Sequence, residues 1–305
     1  MFVGIKFYFI PILFSMTSKR KYLFFIFLFV PIFFAGCFIK TFSADAKIFM
    51  PFYDLKPQNL VLRSEFYTTY SSSSDERKSN IALAAKSLDN VMIDAGGEFS
   101  FNRTVGARTE KRGYKSAKII VNGEFTDGVG GGVCQVSTTL YNAFLTAGLK
   151  ITEYHPHSLA VSYIALSFDA MVNSGSADLR CVNTTHNPVI IRTFADGNTL
   201  RIKIYGEPMK EKYTRKSVTL KEIPPVTEFV KDVEGKYKDL FIGETRVLSY
   251  GKKGYESEGY LIKTVNGKNV SETRIRKDRY ASVKSIIIEG TSMPSDTAGI
   301  KEPAA

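Results

Sequence analysis

Two apolar stretches open the chain, Phe2–Phe14 and Tyr22–Ile39, divided by Ser18-Lys-Arg-Lys21. The second has the ~20 residues that a helix needs to span a bilayer. Its basic flank, Lys19–Lys21, predicts a cytoplasmic start with everything after the span outside. Residues 1–42 therefore read as a signal peptide or membrane anchor. Three endings fit. Ala35-Gly36-Cys37 has the form of a lipidation box, Ala44-Asp-Ala46 suits a signal peptidase, and an uncleaved anchor is the third.

Past a polar linker over 43–60 the pattern becomes that of a folded chain. Phe66-Tyr-Thr-Thr-Tyr70 reads as a strand by its aromatic and β-branched content. Ser79 or Asn80 can cap a helix in which Ile81, Ala84, Ala85 and Leu88 share a face. Asn122-Gly123 between Ile119–Val121 and Glu124–Phe125 is a hairpin signal. A Gly-rich loop over 127–132 leads into Val133–Leu149, where Val136, Leu140, Tyr141, Phe144 and Leu145 recur at helical spacing. Ile151–Tyr154, Ala160–Ile164, Pro188–Thr193 and Leu200–Tyr205 read as strands, the last two joined across Asp196-Gly-Asn. Charged residues and Pro224-Pro225 make 208–238 a linker. Strand-like runs over 239–290 form a small all-β unit, and 291–305 is a small, polar tail expected to be disordered. The fold class that follows is α+β: a mixed domain over 61–207 with a Cys-bearing helix against strands, then the all-β unit, all behind an N-terminal membrane segment.

Composition changes this picture little. Twelve of the 23 Phe precede residue 43, so the leader inflates the aromatic content of the folded part. The net charge of +11 is spread among acidic residues, as in Glu244-Thr-Arg246 and Glu272-Thr-Arg274, which describes a solvated surface or one drawn to an anionic polymer or lipid. Nothing in the pattern resembles a nucleic-acid-binding motif, so nucleic acid is not an expected partner. Three Cys at 37, 134 and 181 are too few and too scattered for a disulfide framework.

The chemistry converges on Cys134. It follows Gly130, Gly131 and Gly132 at the expected first turn of a helix, where unpaired N–H groups and the helix dipole favour a thiolate. The same N–H groups could hold an oxyanion, and glycines let backbone approach a ligand. A nucleophilic Cys needs a base, and His155 and His157 lie just beyond the helix in Tyr154-His-Pro-His-Ser158. Packed Cys and a metal-binding His-x-His pair with Glu153 and Asp169 are the competing readings of these residues. His186 and Cys181 read as structural.

Gly97-Glu-Phe-Ser-Phe-Asn102, Gly130-Gly-Gly-Val-Cys-Gln-Val-Ser-Thr-Thr-Leu-Tyr-Asn-Ala143, His155-Pro-His-Ser158 and Asp169-Ala170 resemble the VanW domain. The stretch from Gly251 to Lys268 resembles the G-five domain, a module thought to bind wall glycan. The resemblance implies a cell-wall enzyme of the L,D-transpeptidase type, acting on peptidoglycan stem peptides at the outer face of the cell membrane without a metal or other cofactor. It implies Cys134 as nucleophile, His157 with His155 next as base, and Asp169 as the orienting carboxylate. Gly130, Gly131, Gly132, Gln135, Ser137 and Thr138 would line the substrate or oxyanion site. Cys before His is the papain-like order, so a cysteine hydrolase of stem peptides is an alternative. A non-catalytic wall-binding or envelope-assembly protein, with Cys134 merely packed, is another.

Overall fold

β1 (Val61–Thr69) turns Ser64 and Thr68 toward the core and exposes Glu65 and Tyr67, with Phe66 half-buried between them. α1 (Asp75–Leu88) starts at Ser74, whose hydroxyl accepts from the N–H of Arg77. Ser79 and Asn80, the expected caps, therefore lie inside the helix. Asn80 is buried there because its amide donates to the carbonyls of Lys115 and Gly131, while its oxygen accepts from the Lys115 N–H. Two short strands follow, β2 (Met92–Ile93) and β3 (Glu98–Ser100), then the short helix α2 (Phe101–Val105) capped by Ser100. The computed structural model describes residues 60–121 and 123–293.

β4 (Ser116–Val121) and β5 (Glu124–Val129) pair antiparallel around the expected hairpin, with Gly123 at φ +80°. α3 (Val133–Thr146) is buried on nearly every side, as a helix in the middle of a core must be. Val136, Leu140 and Phe144 fill the interior, and Phe144 meets Phe99 edge-on at 5.4 Å. Hydroxyl pairs seat α3 on β1: Thr68 with Thr139 at 2.8 Å and Ser64 with Thr146 at 2.6 Å. β6 (Lys150–Glu153), β7 (Arg180–Val182), β8 (Val189–Ala195) and β9 (Thr199–Gly206) complete this part. They form two sheets, β1-β9-β8-β2 and β3-β7-β6, with every pairing antiparallel. The strand expected over Ala160–Ile164 is instead irregular chain with turns.

Residues 208–238, expected to be a linker, contain β10 (Glu211–Ile223) and β11 (Thr227–Lys231). Pro224-Pro225 separates the two strands rather than dissolving them. The charges misled because β10 alternates half-buried Tyr213 and Arg215 with exposed Lys212 and Lys216, a strand pattern written in polar residues. β12 (Thr245–Ser249), β13 (Gly254–Val265), β14 (Lys268–Tyr280) and β15 (Ser285–Glu289) follow. They make two three-stranded sheets, β10-β13-β14 and β11-β15-β12. Within the expected tail, Thr291 donates to the Asp232 carbonyl at 2.6 Å and Ser292 bridges Phe241.

Among the described residues the protein is mostly β with few helices, so the α+β mixture is weighted toward strands. All of them fall within one compact unit, Lys56–Ala305. The expected membrane segment over 1–42 and the linker before residue 60 lie outside the described residues. No described helix is long and apolar enough to cross a membrane.

Candidate active site

Three glycines bring α3 to the site, and each is required by the chain itself. Gly130 and Gly132 have φ of +90° and +106°, where a side chain is strained. A Cβ on Gly131 would stand 2.7–2.8 Å from the backbone of Ala117 and Lys118. Gly130 lies against Arg108 and Gly132 against Arg77. The glycines thus make room for β4 and for two arginines, and Gly130 and Gly132 also line the cleft beside Cys134. Several expected oxyanion donors are also spent internally. The N–H of Gly130 donates to Lys115, that of Val133 to Gly130 and that of Gln135 to Gly132.

Cys134, half-buried in the first turn of α3, donates its thiol to the Val172 carbonyl at 3.3 Å. His157 is buried beside it, and Asp169 is buried behind His157. Asp169 Oδ2 accepts from both the backbone N–H and Nδ1 of His157, at 2.6 and 2.7 Å. With Nδ1 so engaged, Nε2 is the ring nitrogen left to meet the Cys134 sulfur. Burial raises the thiol's pKa, but the hydrogen bond and charge of His157 outweigh it, and the net shift is downward. Burial works the other way on His157, where the hydrogen bonds its ring donates to Asp169 and Cys134 prevail and raise its pKa to about 9. The Asp169 carboxyl also overcomes its burial and is held below the usual range by His157 and Arg276. The arrangement favours a thiolate–imidazolium pair with an ionised carboxylate behind it.

The support for Asp169 comes from β14. Arg276 donates to the Asp169 carbonyl at 2.6 Å and to Oδ1 at 3.2 Å, and the Tyr280 hydroxyl donates to Oδ1 at 2.6 Å. Asp278 holds the far side of the Arg276 guanidinium at 2.6 Å. Ser167 is fixed by Ser257 and by Tyr280, and β10 adds Arg215, which bonds Asn142 and stacks on Phe66 and Phe168.

Comparison with known proteins bears directly on these two parts. The family model described as VanW like protein matches residues 76–205, and the G5 domain model matches 214–292. The chain carries a VanW-like domain followed by a G5 domain. YoaR of Bacillus subtilis strain 168 is 42% identical over 152 residues, covering 50% of this chain and 50% of YoaR. Vancomycin B-type resistance protein VanW of Enterococcus faecalis V583 is 34% identical over 111 residues, covering 35% of this chain and 40% of that protein. The chain thus spans half or less of the length of these relatives. The solved G5 domain of an IgA1 protease is 26% identical, covers 29% of this chain and is itself covered in full, with a TM-score of 0.19.

Within the VanW-like domain, the residues expected at the site divide. Cys134, His157 and Asp169 come together. His155 does not: its Nε2 meets Glu153 at 3.0 Å and it stands off the cleft wall. Ser137 and Thr138 do not line the cleft either. They are buried and bind the Ala170 backbone, so they clamp the Asp169 segment onto α3 instead of facing a substrate. The Gln135 side chain is consumed by Thr68, Thr69 and Arg77. Cys181 is buried and free, and burial pushes its thiol up. Arg77, Arg108 and Tyr163 of the VanW-like domain, and Arg276 and Tyr280 of the G5 domain, were not singled out by sequence. They reach the site from four separate segments, and no local spacing links them to Cys134.

Proposed function

We propose that this protein is a cell-wall enzyme at the outer face of the membrane that transfers an acyl group between peptidoglycan stem peptides through Cys134, an L,D-transpeptidase-type reaction. The observation that carries this reading is the Cys134–His157–Asp169 chain, half-buried Cys134 backed by buried His157 and Asp169, opening on a cleft of about 1580 Å³. The name of the E. faecalis relative, a vancomycin-resistance protein, supports a place at the wall.

In the first half-reaction the Cys134 thiolate attacks the carbonyl carbon that precedes a terminal D-alanine. The S–C bond forms, the C–N bond breaks, and protonated His157 gives its proton to the departing amine. A side-chain amine of a second stem then attacks the thioester and surrenders a proton to His157. The new amide forms as the C–S bond breaks, and the thiolate–imidazolium pair returns. Tyr163, on the cleft wall, keeps its phenol protonated because burial and then the nearby Cys134 charge raise its pKa, so it remains a hydrogen-bond donor. The G5 domain is proposed to hold wall glycan while its β14 face supports Asp169.

Muropeptide profiles of purified wall treated with wild type and with Cys134→Ala test this function. New cross-links with wild type alone are expected. Identical profiles would remove the transferase reading, and stem cleavage without cross-links would replace it with hydrolysis.

A further inference from the structure

The cleft wall carries six basic side chains, Arg77, Arg108, Lys118, Lys252, Lys253 and Arg279, and no Asp or Glu. Four of the six are already engaged. Lys118 pairs with Asp127 at 3.0 Å, Lys253 with Glu222 at 2.5 Å and Arg279 with Glu256 at 3.6 Å. Lys252 sits 4.8 Å from the Phe125 ring centroid.

Arg77 and Arg108 are different. Both are half-buried, and among the described residues neither has a carboxylate within ion-pair distance. Their hydrogen-bond partners are neutral. Arg77 donates to Ser73 and to Gln135 Oε1, and Arg108 donates to Asn102 Oδ1 and the Gly106 carbonyl. Burial works against the charge of each, and the Cys134 thiolate is among the groups that favour it. Packing against Gly132 and Gly130 fixes the two side chains at the loop that precedes Cys134. A guanidinium taken partly out of water is costly unless an anion meets it, and its planar fork matches a carboxylate.

We propose that Arg77 and Arg108 form a carboxylate clamp beside Cys134, selecting acyl donors that carry a free carboxylate next to the bond attacked. The proposal rests on Cys134 being the nucleophile. It makes the site one for a departing residue that bears a negative charge. The carboxylate could belong to a C-terminus or to an acidic side chain; both present the same oxygens to the clamp.

Iodoacetate and iodoacetamide separate the clamp from the nucleophile. Both alkylate a thiolate by displacing iodide with formation of an S–C bond, and only the first is an anion. In the whole protein, the iodoacetate-to-iodoacetamide rate ratio at Cys134 should exceed that of free glutathione by on the order of 10-fold. Arg77→Gln and Arg108→Gln should each lower the ratio, and Arg77→Lys and Arg108→Lys should retain most of it; thermal melts identify any variant that fails to fold. A ratio unchanged in both folded Gln variants, with iodoacetamide still reacting, overturns the clamp and spares the nucleophile. A Cys134 inert to both reagents in wild type overturns both. Protection against iodoacetamide then names the source. Diacetyl-lysyl-D-alanine protecting better than its amide assigns a C-terminal carboxylate, and acetyl-D-glutamic acid α-amide protecting alone assigns a side chain. No protection by any of the three, or equal protection by acid and amide, overturns the clamp.

Discussion

The Arg276 guanidinium lies across Asp169, bonded to both its backbone carbonyl and its carboxylate, although 107 residues separate them. Both groups are buried, and Asp278 completes the cation's partners. The G5 domain is therefore part of the wall behind the proposed catalytic histidine. Removing one member of a buried ion pair typically costs ~3–5 kcal/mol, because the other charge is stranded. Arg276→Met should lose stability on that scale in urea unfolding. Tyr280→Phe removes one hydrogen bond to the same carboxylate and should cost ~1.5–3 kcal/mol.

The pH dependence follows from the two opposed shifts. Below the lowered Cys134 pKa the sulfur is a thiol and no nucleophile exists. Above about 9, His157 loses its proton and with it the acid for the leaving amine. Turnover should be bell-shaped, with its lower limb beneath the ordinary thiol value of ~8.5 and its upper limb near 9. Asp169→Asn removes the negative charge that helps raise the His157 pKa, so the upper limb should move down. Turnover measured across pH for both proteins checks the direction.

The two histidines should respond unequally. His157→Ala should slow iodoacetamide alkylation of Cys134 at pH 7 by on the order of 10²-fold, the usual size of a lost acid–base partner. His155→Ala should leave that rate unchanged, because its ring is turned to Glu153.

Gly131 offers a test of the loop. A Cβ there would meet only backbone, at 2.7–2.8 Å, so neither side can yield cheaply. Gly131→Ala should cost ~1–3 kcal/mol by overpacking and lower the melting temperature. Gly175→Ala, where nothing stands within 4 Å, should leave it unchanged.

What the sequence revealed depended on how locally it was written. Cys134, its glycines and the helix after it lie in one continuous string, and the Asn122-Gly123 and Asp196-Gly-Asn hairpins are each set by a few adjacent residues. The roles of the glycines were not legible, since Arg77, Arg108 and Ala117 press on them from other segments. Nor could spacing choose between His155 and His157, two residues apart, because Asp169 and Glu153 make that choice in space. Ser137 and Thr138 looked available until the Ala170 backbone was seen to occupy them. β10 hid behind its charges for the related reason that Arg215 is half-buried by stacking on aromatic rings from the first domain.

The central claim, that Cys134 carries the acyl group, is tested most directly by intact-mass analysis after incubation with a tetrapeptide stem. The account predicts an adduct of the stem less its terminal D-alanine, mapped to Cys134, absent in Cys134→Ala and reduced in His157→Ala. A wild-type protein that releases D-alanine with no adduct on Cys134, or that forms the same adduct after Cys134→Ala, would contradict it.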